Sequence, residues 1–346
     1  MSSPSFERFD YQLRSNKHIE RKLIFDLLAR SRSHVNFTTY RYVGLGSMWF
    51  ADHRLAHRLL NIDDLVSIEQ VDHAPRAEFN KPYGTVKVLP GLSHAVLPSW
   101  GDEDWARPMV VWMDYDGILD ADVVGDMTLL CQRLLPESVL IVTVNAHFNS
   151  YRVNKSAVEA AARRGEKIDP RAIATLFRLL GNVVPETLLS NQTKAGQPVD
   201  VNEAEFAAQF ADALLGFMEH KITISGRQEE GQLLRFSPLF NFCHKDGAEM
   251  ITVGGAITTP DKKISWENVL QQDPLVAVSK SKPKHHRLDL IPITLREKLV
   301  LDSILPASDE DFERQADERG LKLNMEQAKR YRQYYRHFSI FVEAPV

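Results

Sequence analysis

Cysteine is scarce. The 346-residue chain has two, Cys131 and Cys243, far apart and each inside an apolar run. That argues against a disulfide framework or a cysteine-held zinc site and fits a reducing, cytoplasmic setting. Long hydrophobic runs are missing too, so no segment reads as a bilayer span. The opening residues Met1–Asp10 are polar and lack an apolar signal core, so export is not expected. Nor is one sign of charge in large excess: 42 Lys and Arg face 46 Asp and Glu, a net charge of −4. The whole molecule is therefore no electrostatic magnet for nucleic acid, although local basic patches are present. Walker A, nucleophile-elbow and zinc-ligand spacings are all absent.

What remains is an ordinary globular composition, 44% hydrophobic and 25% charged. The length suits about two domains, or one large α/β domain with appendages. The organising stretch is Arg41-Tyr42-Val43-Gly44-Leu45-Gly46-Ser47-Met48-Trp49-Phe50. It reads as a buried strand breaking into a glycine turn and opening a helix. Gly44 and Gly46 fall where the backbone turns tightly and approaches a ligand. A helix starting there would aim its first N–H groups at whatever the loop holds. Two glycines in a strand–helix turn are weak evidence alone, since many such turns carry them merely to turn.

Before this stretch, Phe6 to Arg32 predicts an amphipathic helix with Ile19, Leu23, Ile24, Leu27 and Leu28 as its apolar stripe. Its basic residues, Lys17 and Arg21 among them, read as a solvated face or as a wall near a negatively charged substrate. After it, strands alternate with helices. Strands are predicted at Tyr40–Val43, Leu65–Glu69, Thr85–Leu89, Pro108–Met113 and Ser138–Val144, and helices at Trp49–Asn61, Ala74–Asn80 and Ala121–Leu135. The near-continuous apolar runs of the last two strands fit a sheet covered on both faces. This alternation predicts a mostly parallel α/β sheet with right-handed crossovers. Helices follow at Tyr151–Ile168, Pro170–Leu180 and Asn202–His220, with a polar loop at Ser190–Asp200. Then come two β-rich runs, Leu233–Cys243 and Glu249–Val253, joined through Asp246-Gly247 as a hairpin. Thr258–Lys263 reads as a linker, Ser279–Arg287 as an exposed basic stretch, and Leu295–Leu305 and Met325–Phe338 as closing helices. The predicted organisation is an N-terminal helical segment (1–39), an α/β domain (40–260) with a helical insertion at about 151–220, and a basic linker with C-terminal helices (261–346).

Open parallel sheets bind ligands beyond the carboxyl ends of their strands. Those ends carry Gly44, Gly46 and Ser47; then Glu69; then Gly91, Leu92 and Ser93; then Asp114, Tyr115, Asp116 and Gly117; then Asn145, His147 and Asn149. Small or hydrogen-bonding groups cluster there while the strand interiors are apolar. Glu69 follows Gly46 by about 23 residues, near the offset at which a Rossmann-like unit places an acid on ribose hydroxyls. A ribose-bearing cofactor is expected. Nicotinamide or flavin dinucleotides and S-adenosylmethionine all suit such a crevice. The loop lacks the third glycine that packs a helix against a pyrophosphate, and the sheet ends in an antiparallel hairpin; both features favour S-adenosylmethionine.

With these features, roughly Tyr40 to Ile257 resembles the class I S-adenosylmethionine-dependent methyltransferase superfamily, with a Rossmann-like sheet. The resemblance implies that Gly44 and Gly46 line the methionine part of the cofactor, that Ser47 beside them also binds it, and that Glu69 holds the ribose. It places Gly91 and Ser93 by the adenine, and Asp114 to Asp116 facing cofactor and substrate. Three positions depart from the pattern: Tyr42 stands where an acid usually opens the glycine motif, Met48 replaces its last glycine, and Leu92 replaces the acid often found after the third strand.

Asp114 and Asp116 are the candidate catalytic bases, with Tyr115, Asn145 and His147 as substrate-facing candidates. A second reading of Asp114 and Asp116 is as cation ligands assisted by Asn145 or His147; no metal is expected. Asp-Tyr-Asp-Gly lacks the Pro-Pro-aromatic motif by which DNA amino-methyltransferases resemble one another, so an oxygen or a non-base nitrogen is the expected acceptor. The alternative is an inactive methyltransferase-like protein that binds a nucleotide or nucleic acid as a sensor or partner subunit. Basic residues interleaved with tyrosines at Lys329–Arg336 are compatible with gripping a single strand. At helical spacing, Tyr331, Tyr334, Tyr335 and Phe338 are better read as packing the last helix onto the protein.

Overall fold

The computed structural model describes residues 15–167, 169, 171–185, 188, 193–197, 200–271, 278–279, 282–290 and 293–338. Its centre is an eight-stranded sheet. The strands are β1 (Arg41–Gly44), β2 (Asp64–Glu69), β3 (Val86–Pro90), β4 (Met109–Asp114), β5 (Val139–Asn145), β6 (Arg235–Lys245), β7 (Glu249–Thr258) and β8 (His286–Leu288). Their spatial order is β8-β6-β7-β5-β4-β1-β2-β3. Every neighbouring pair is parallel except those made by β7, which runs against both β5 and β6. The expected Rossmann-like, mostly parallel sheet with an antiparallel hairpin is what the chain forms.

Burial explains the apolar runs. Along β4 the side chains alternate between two cores: Val111 and Met113 join one, Val110 and Trp112 the other. The first core is closed by Val123, Met127 and Leu130 of the helix Ala121–Arg133 and by Phe206, Phe210 and Leu214 of the helix Glu203–Ile224. The second is closed by Ile19, Leu23, Ile24, Leu27 and Leu28 of the helix Ser15–Arg30, here α1, together with Leu301, Phe312, Tyr331 and Tyr334 near the C-terminus. Helix α1 and the helices that carry Leu301, Phe312 and Tyr331 therefore cover one face of the same sheet.

Several predicted elements shift. Thr258–Lys263 is no linker: β7 runs through Thr258, and a helix spans Pro260–Gln271. Within Ser279–Arg287, read as an exposed basic stretch, residues 286 and 287 enter β8 and extend the sheet edge beside β6, while residues 280 and 281 lie outside the described residues. The helix expected over Tyr151–Ile168 is two pieces, Phe148–Tyr151 and Lys155–Arg163, the second capped by the Asn154 side chain. Asp309–Glu318 is a further helix whose first turn is acidic and capped by Ser308. Parts of the Phe6–Arg32 and Ser190–Asp200 readings fall outside the described residues. Among the described residues, no helix is long and apolar enough to cross a membrane.

The topology fixes where a ligand can sit. From β1 the chain steps outward through β2 and β3, then returns to place β4 on the other side of β1. At such a reversal the connections beyond β1 and β4 diverge to opposite faces and leave a crevice.

Candidate functional site

A cavity of about 530 Å³ opens at this crevice, within the range of small-molecule and cofactor sites. Gly46, Ser47, Glu69, Gly91, Ser93, Asp114, Tyr115 and Asp116, all singled out from sequence, line it. Gly44, Asn145 and His147 are not among its lining residues.

The loop after β1 is tightly determined. A Cβ on Gly46 would stand 2.7 Å from Ser67 Oγ and 2.8 Å from His53 Cε1, closer than real Cβ contacts allow. Gly46 N donates to Ser67 Oγ at 3.1 Å, and Ser67 Oγ donates to Glu69 Oε1 at 2.9 Å. Loop and acid are thus joined through one hydroxyl. Ser47 and Phe50 both take left-handed backbone (φ 49° and 50°), costing about 1–3 kcal/mol each and found chiefly where the surroundings enforce it. Burial pushes the Glu69 carboxyl above the usual range, while the Ser67 hydroxyl and the Ser47 and Gly46 amides pull the other way.

Gly44 has a different reason to be glycine. Its Cβ would approach the Tyr42 ring, with the hydroxyl at 2.9 Å, so its missing side chain accommodates a buried tyrosine. Asn145 and His147 are engaged locally: Asn145 Oδ1 accepts from His147 N at 2.8 Å, and His147 Nδ1 accepts from Asn149 N at 3.3 Å.

Beneath the cavity lies a buried ionic cluster reached from α1. Lys17 Nζ is 2.8 Å from Asp114 Oδ1 and 2.9 Å from Glu20 Oε2. Arg21 Nε is 2.5 Å from Asp52 Oδ1, and its Nη2 is 3.5 Å from Asp114 Oδ2. The solvated-face reading does not hold for Lys17 and Arg21: both are buried and paired with acids, and Arg21 lines the cavity. Burial opposes the charge on Asp114, but Lys17 and Arg21 outweigh it and hold the carboxyl below the usual range. A carboxylate held this way is a weak proton acceptor. Asp116, two residues on, is exposed at the cavity wall. Among the described residues, no three His, Cys, Asp or Glu side chains converge as cation ligands.

On the far side Asp126 Oδ2 accepts from Ser93 Oγ at 2.5 Å and from the Tyr115 hydroxyl at 2.7 Å. Burial pushes Asp126 upward against both hydrogen bonds. Sequence reasoning missed Asp52, His73, His94 and Asp126 as lining residues. Asp126 left a signal: it falls beside Val123, Met127 and Leu130 on the buried stripe of its helix, where an acid is out of place unless it serves a polar cluster.

A family described as "Putative O-methyltransferase" matches residues 9–346. The chain belongs to this family. Its match runs through the glycine loop, the acids beyond β2 and β4, and the C-terminal helices. No curated protein matches the chain in sequence. Among solved structures, it resembles a mitomycin 7-O-methyltransferase at 17% identity and a TM-score of 0.31, over 68% of this chain and 54% of that one. A putative O-methyltransferase from Klebsiella pneumoniae resembles it at 14% identity and 0.34, over 70% and 80%. An S-adenosylmethionine-bound amino pentose methyltransferase from Micromonospora echinaspora does so at 14% and 0.28, over 41% and 56%. The chain thus spans about half the length of the mitomycin enzyme.

Proposed function

We propose that the cavity binds S-adenosylmethionine and that the protein transfers its methyl group to an oxygen acceptor. The observation that carries this reading is the Gly46–Ser67–Glu69 chain of hydrogen bonds, which holds a buried carboxylate at the ligand-facing end of β2. The residues fit the cofactor. Gly46 leaves a cradle that a Cβ would fill, and Glu69 offers acceptors suited to ribose hydroxyls. When bound, S-adenosylmethionine supplies an activated methyl group.

The protein's own part is positioning and proton handling. Gly46 and Ser47 line the methionyl part, Glu69 holds the ribose, and Gly91 and Ser93 lie beside the base. Asp116, exposed at the cavity wall, is placed to accept the proton of an acceptor hydroxyl. The Tyr115 hydroxyl, locked onto Asp126, shapes the wall between the two ends.

The basic and tyrosine residues of Lys329–Arg332 give the nucleic-acid alternative little support. Lys329 pairs with Glu313 at 2.6 Å, Arg330 with Asp289, and Arg332 with Asp309, while Tyr331 and Tyr334 are buried. The deciding experiment is calorimetric titration with S-adenosylmethionine and S-adenosylhomocysteine. Micromolar binding, weakened at least about tenfold by Glu69→Ala, is expected. Failure of folded protein to bind either compound would sink the reading.

A further inference from the structure

A methionyl group is a zwitterion, so a pocket that accepts it must answer a carboxylate and an ammonium placed close together. Among the described residues lining the cavity, Arg21 is the sole lysine or arginine. It comes from α1, outside the α/β repeat. Its guanidinium lies between two acids that also line the cavity, Asp52 through Nε and Asp114 through Nη2. Asp114 ends β4, and Asp52 lies in the first turn of the helix Ala51–Leu60 that follows β1. The cation therefore stands at the β1–β4 crevice. Glu69 and His73 after β2, and Ser93 and His94 after β3, line the other part of the same cavity.

From this we infer that Arg21 receives the carboxylate of the cofactor's methionyl end, and that Asp114 and Asp52 flank its ammonium. The inference rests on the cofactor reading above. A guanidinium presents five N–H donors in a rigid fork and serves two carboxylates at once, which an ammonium point charge does less well. The alternation Asp52–Arg21–Asp114 matches a zwitterion charge for charge. It also accounts for Tyr42. The position where the methyltransferase resemblance leads one to expect an acid holds a buried tyrosine, and the acids facing this end of the cavity come from Asp52 and Asp114.

The position of Arg21 is built. Residues at the start of α1 are tied to the turn between β6 and β7: Asn16 Nδ2 donates to Asp246 Oδ1 at 2.8 Å, and Lys17 N to Asp246 Oδ2 at 2.9 Å. Asn16 Oδ1 in turn accepts from Leu290 N at 2.8 Å. The first helix is thus part of the pocket wall, anchored by the far side of the sheet.

The test compares two ligands that share a nucleoside: S-adenosylhomocysteine, which carries the zwitterion, and 5′-methylthioadenosine, which does not. In calorimetry, Arg21→Gln should weaken S-adenosylhomocysteine about ten- to hundredfold, the scale of a charge-assisted hydrogen bond, and leave 5′-methylthioadenosine within about twofold. Arg21→Lys keeps the charge and should show the same selective loss at smaller size, about three- to tenfold. It decides the matter alone if Arg21→Gln does not fold. Equal losses for both ligands, or an unchanged affinity for S-adenosylhomocysteine, would overturn the assignment and leave the cofactor reading intact. If wild-type protein binds neither ligand, it is the cofactor reading that fails.

Discussion

Lys17 Nζ donates at 2.8 Å to Asp114 Oδ1, across 97 residues of sequence. The same ammonium lies 4.9 Å from the centre of the Trp112 ring and donates to Thr143 Oγ1 at 3.3 Å. One cation from the first helix thus ties together the ligand-facing ends of β4 and β5. Burial alone would discharge it, but Asp114 and Glu20 hold its pKa above the usual value.

Lys17→Met should therefore destabilise the protein by about 3–5 kcal/mol, the cost of breaking a buried pair from one side. The double variant with Asp114→Asn should recover part of that loss. Denaturant midpoints measure both. Because Asp114 in the folded protein titrates below its unfolded value near 3.9, its share of stability is complete at neutral pH. It disappears as pH falls below about 4 and through the folded value. A loss under about 1 kcal/mol for Lys17→Met would reduce this pair to the worth of a surface one.

Gly46→Ala and Gly117→Ala form a matched pair. Both glycines line the cavity. A Cβ at 46 would stand within 3.0 Å of Ser67 Oγ, His53 Cε1 and Phe50 Cδ1, whereas at 117 it would meet nothing within 4 Å. Gly46→Ala should cost about 1–3 kcal/mol through overpacking and weaken S-adenosylhomocysteine by displacing Ser67 from Glu69. Gly117→Ala should be close to neutral in stability. Equal thermal shifts in the two proteins would contradict the crowding argument.

His53 gives the loop a pH dependence. It is fully buried, its Nε2 lies 3.0 Å from Val66 O, and burial pushes its pKa down to about 4. The unfolded imidazole titrates near 6.5. As pH falls from about 6.5 toward 4, the unfolded chain takes up a proton that the folded protein refuses, so stability declines across that window. Between pH 7 and 5.5 wild type should lose about 1 kcal/mol more than His53→Asn, a comparison that cancels the contributions of His18 and His285, which burial also lowers to about 4. Parallel stability–pH curves would show that His53 does not titrate as described.

The sheet was largely legible because its strands obey a local rule. An apolar run ends, a small or polar residue follows, and Glu69, Asp114 and Gly46 each appear at such an end. The ionic cluster was not. Nothing within α1 distinguishes Lys17 and Arg21 from Arg30, which is exposed; what buries them are Asp52, Asp114 and the Asp246 turn, all supplied by tertiary folding. The helix Asp309–Glu318 was legible in principle, since Ser308 with Asp311 three residues later is a cap signature. Its run of acids concealed a short apolar stripe of Phe312 and Ala316.

Asp114 and Asp116 provide the sharpest separation of roles. Asp114→Asn removes a charge that both Lys17 and Arg21 face, so stability and S-adenosylhomocysteine affinity should fall together. Asp116 is exposed at the cavity wall, so Asp116→Asn should change stability by no more than about 0.5 kcal/mol and leave S-adenosylhomocysteine affinity unaltered. Its effect should appear in turnover, about 10²- to 10⁴-fold for a hydroxyl acceptor that needs a base. The acceptor is the compound returned by a screen with labelled cofactor. The deficit should shrink as pH rises toward the acceptor's own pKa, because an acceptor already ionised has no proton to give up. A deficit constant with pH would point to a positioning role for Asp116, and full turnover at neutral pH would remove it from the mechanism. His94, on the cavity wall 3.5 Å from Asp122, would then be the next group to replace.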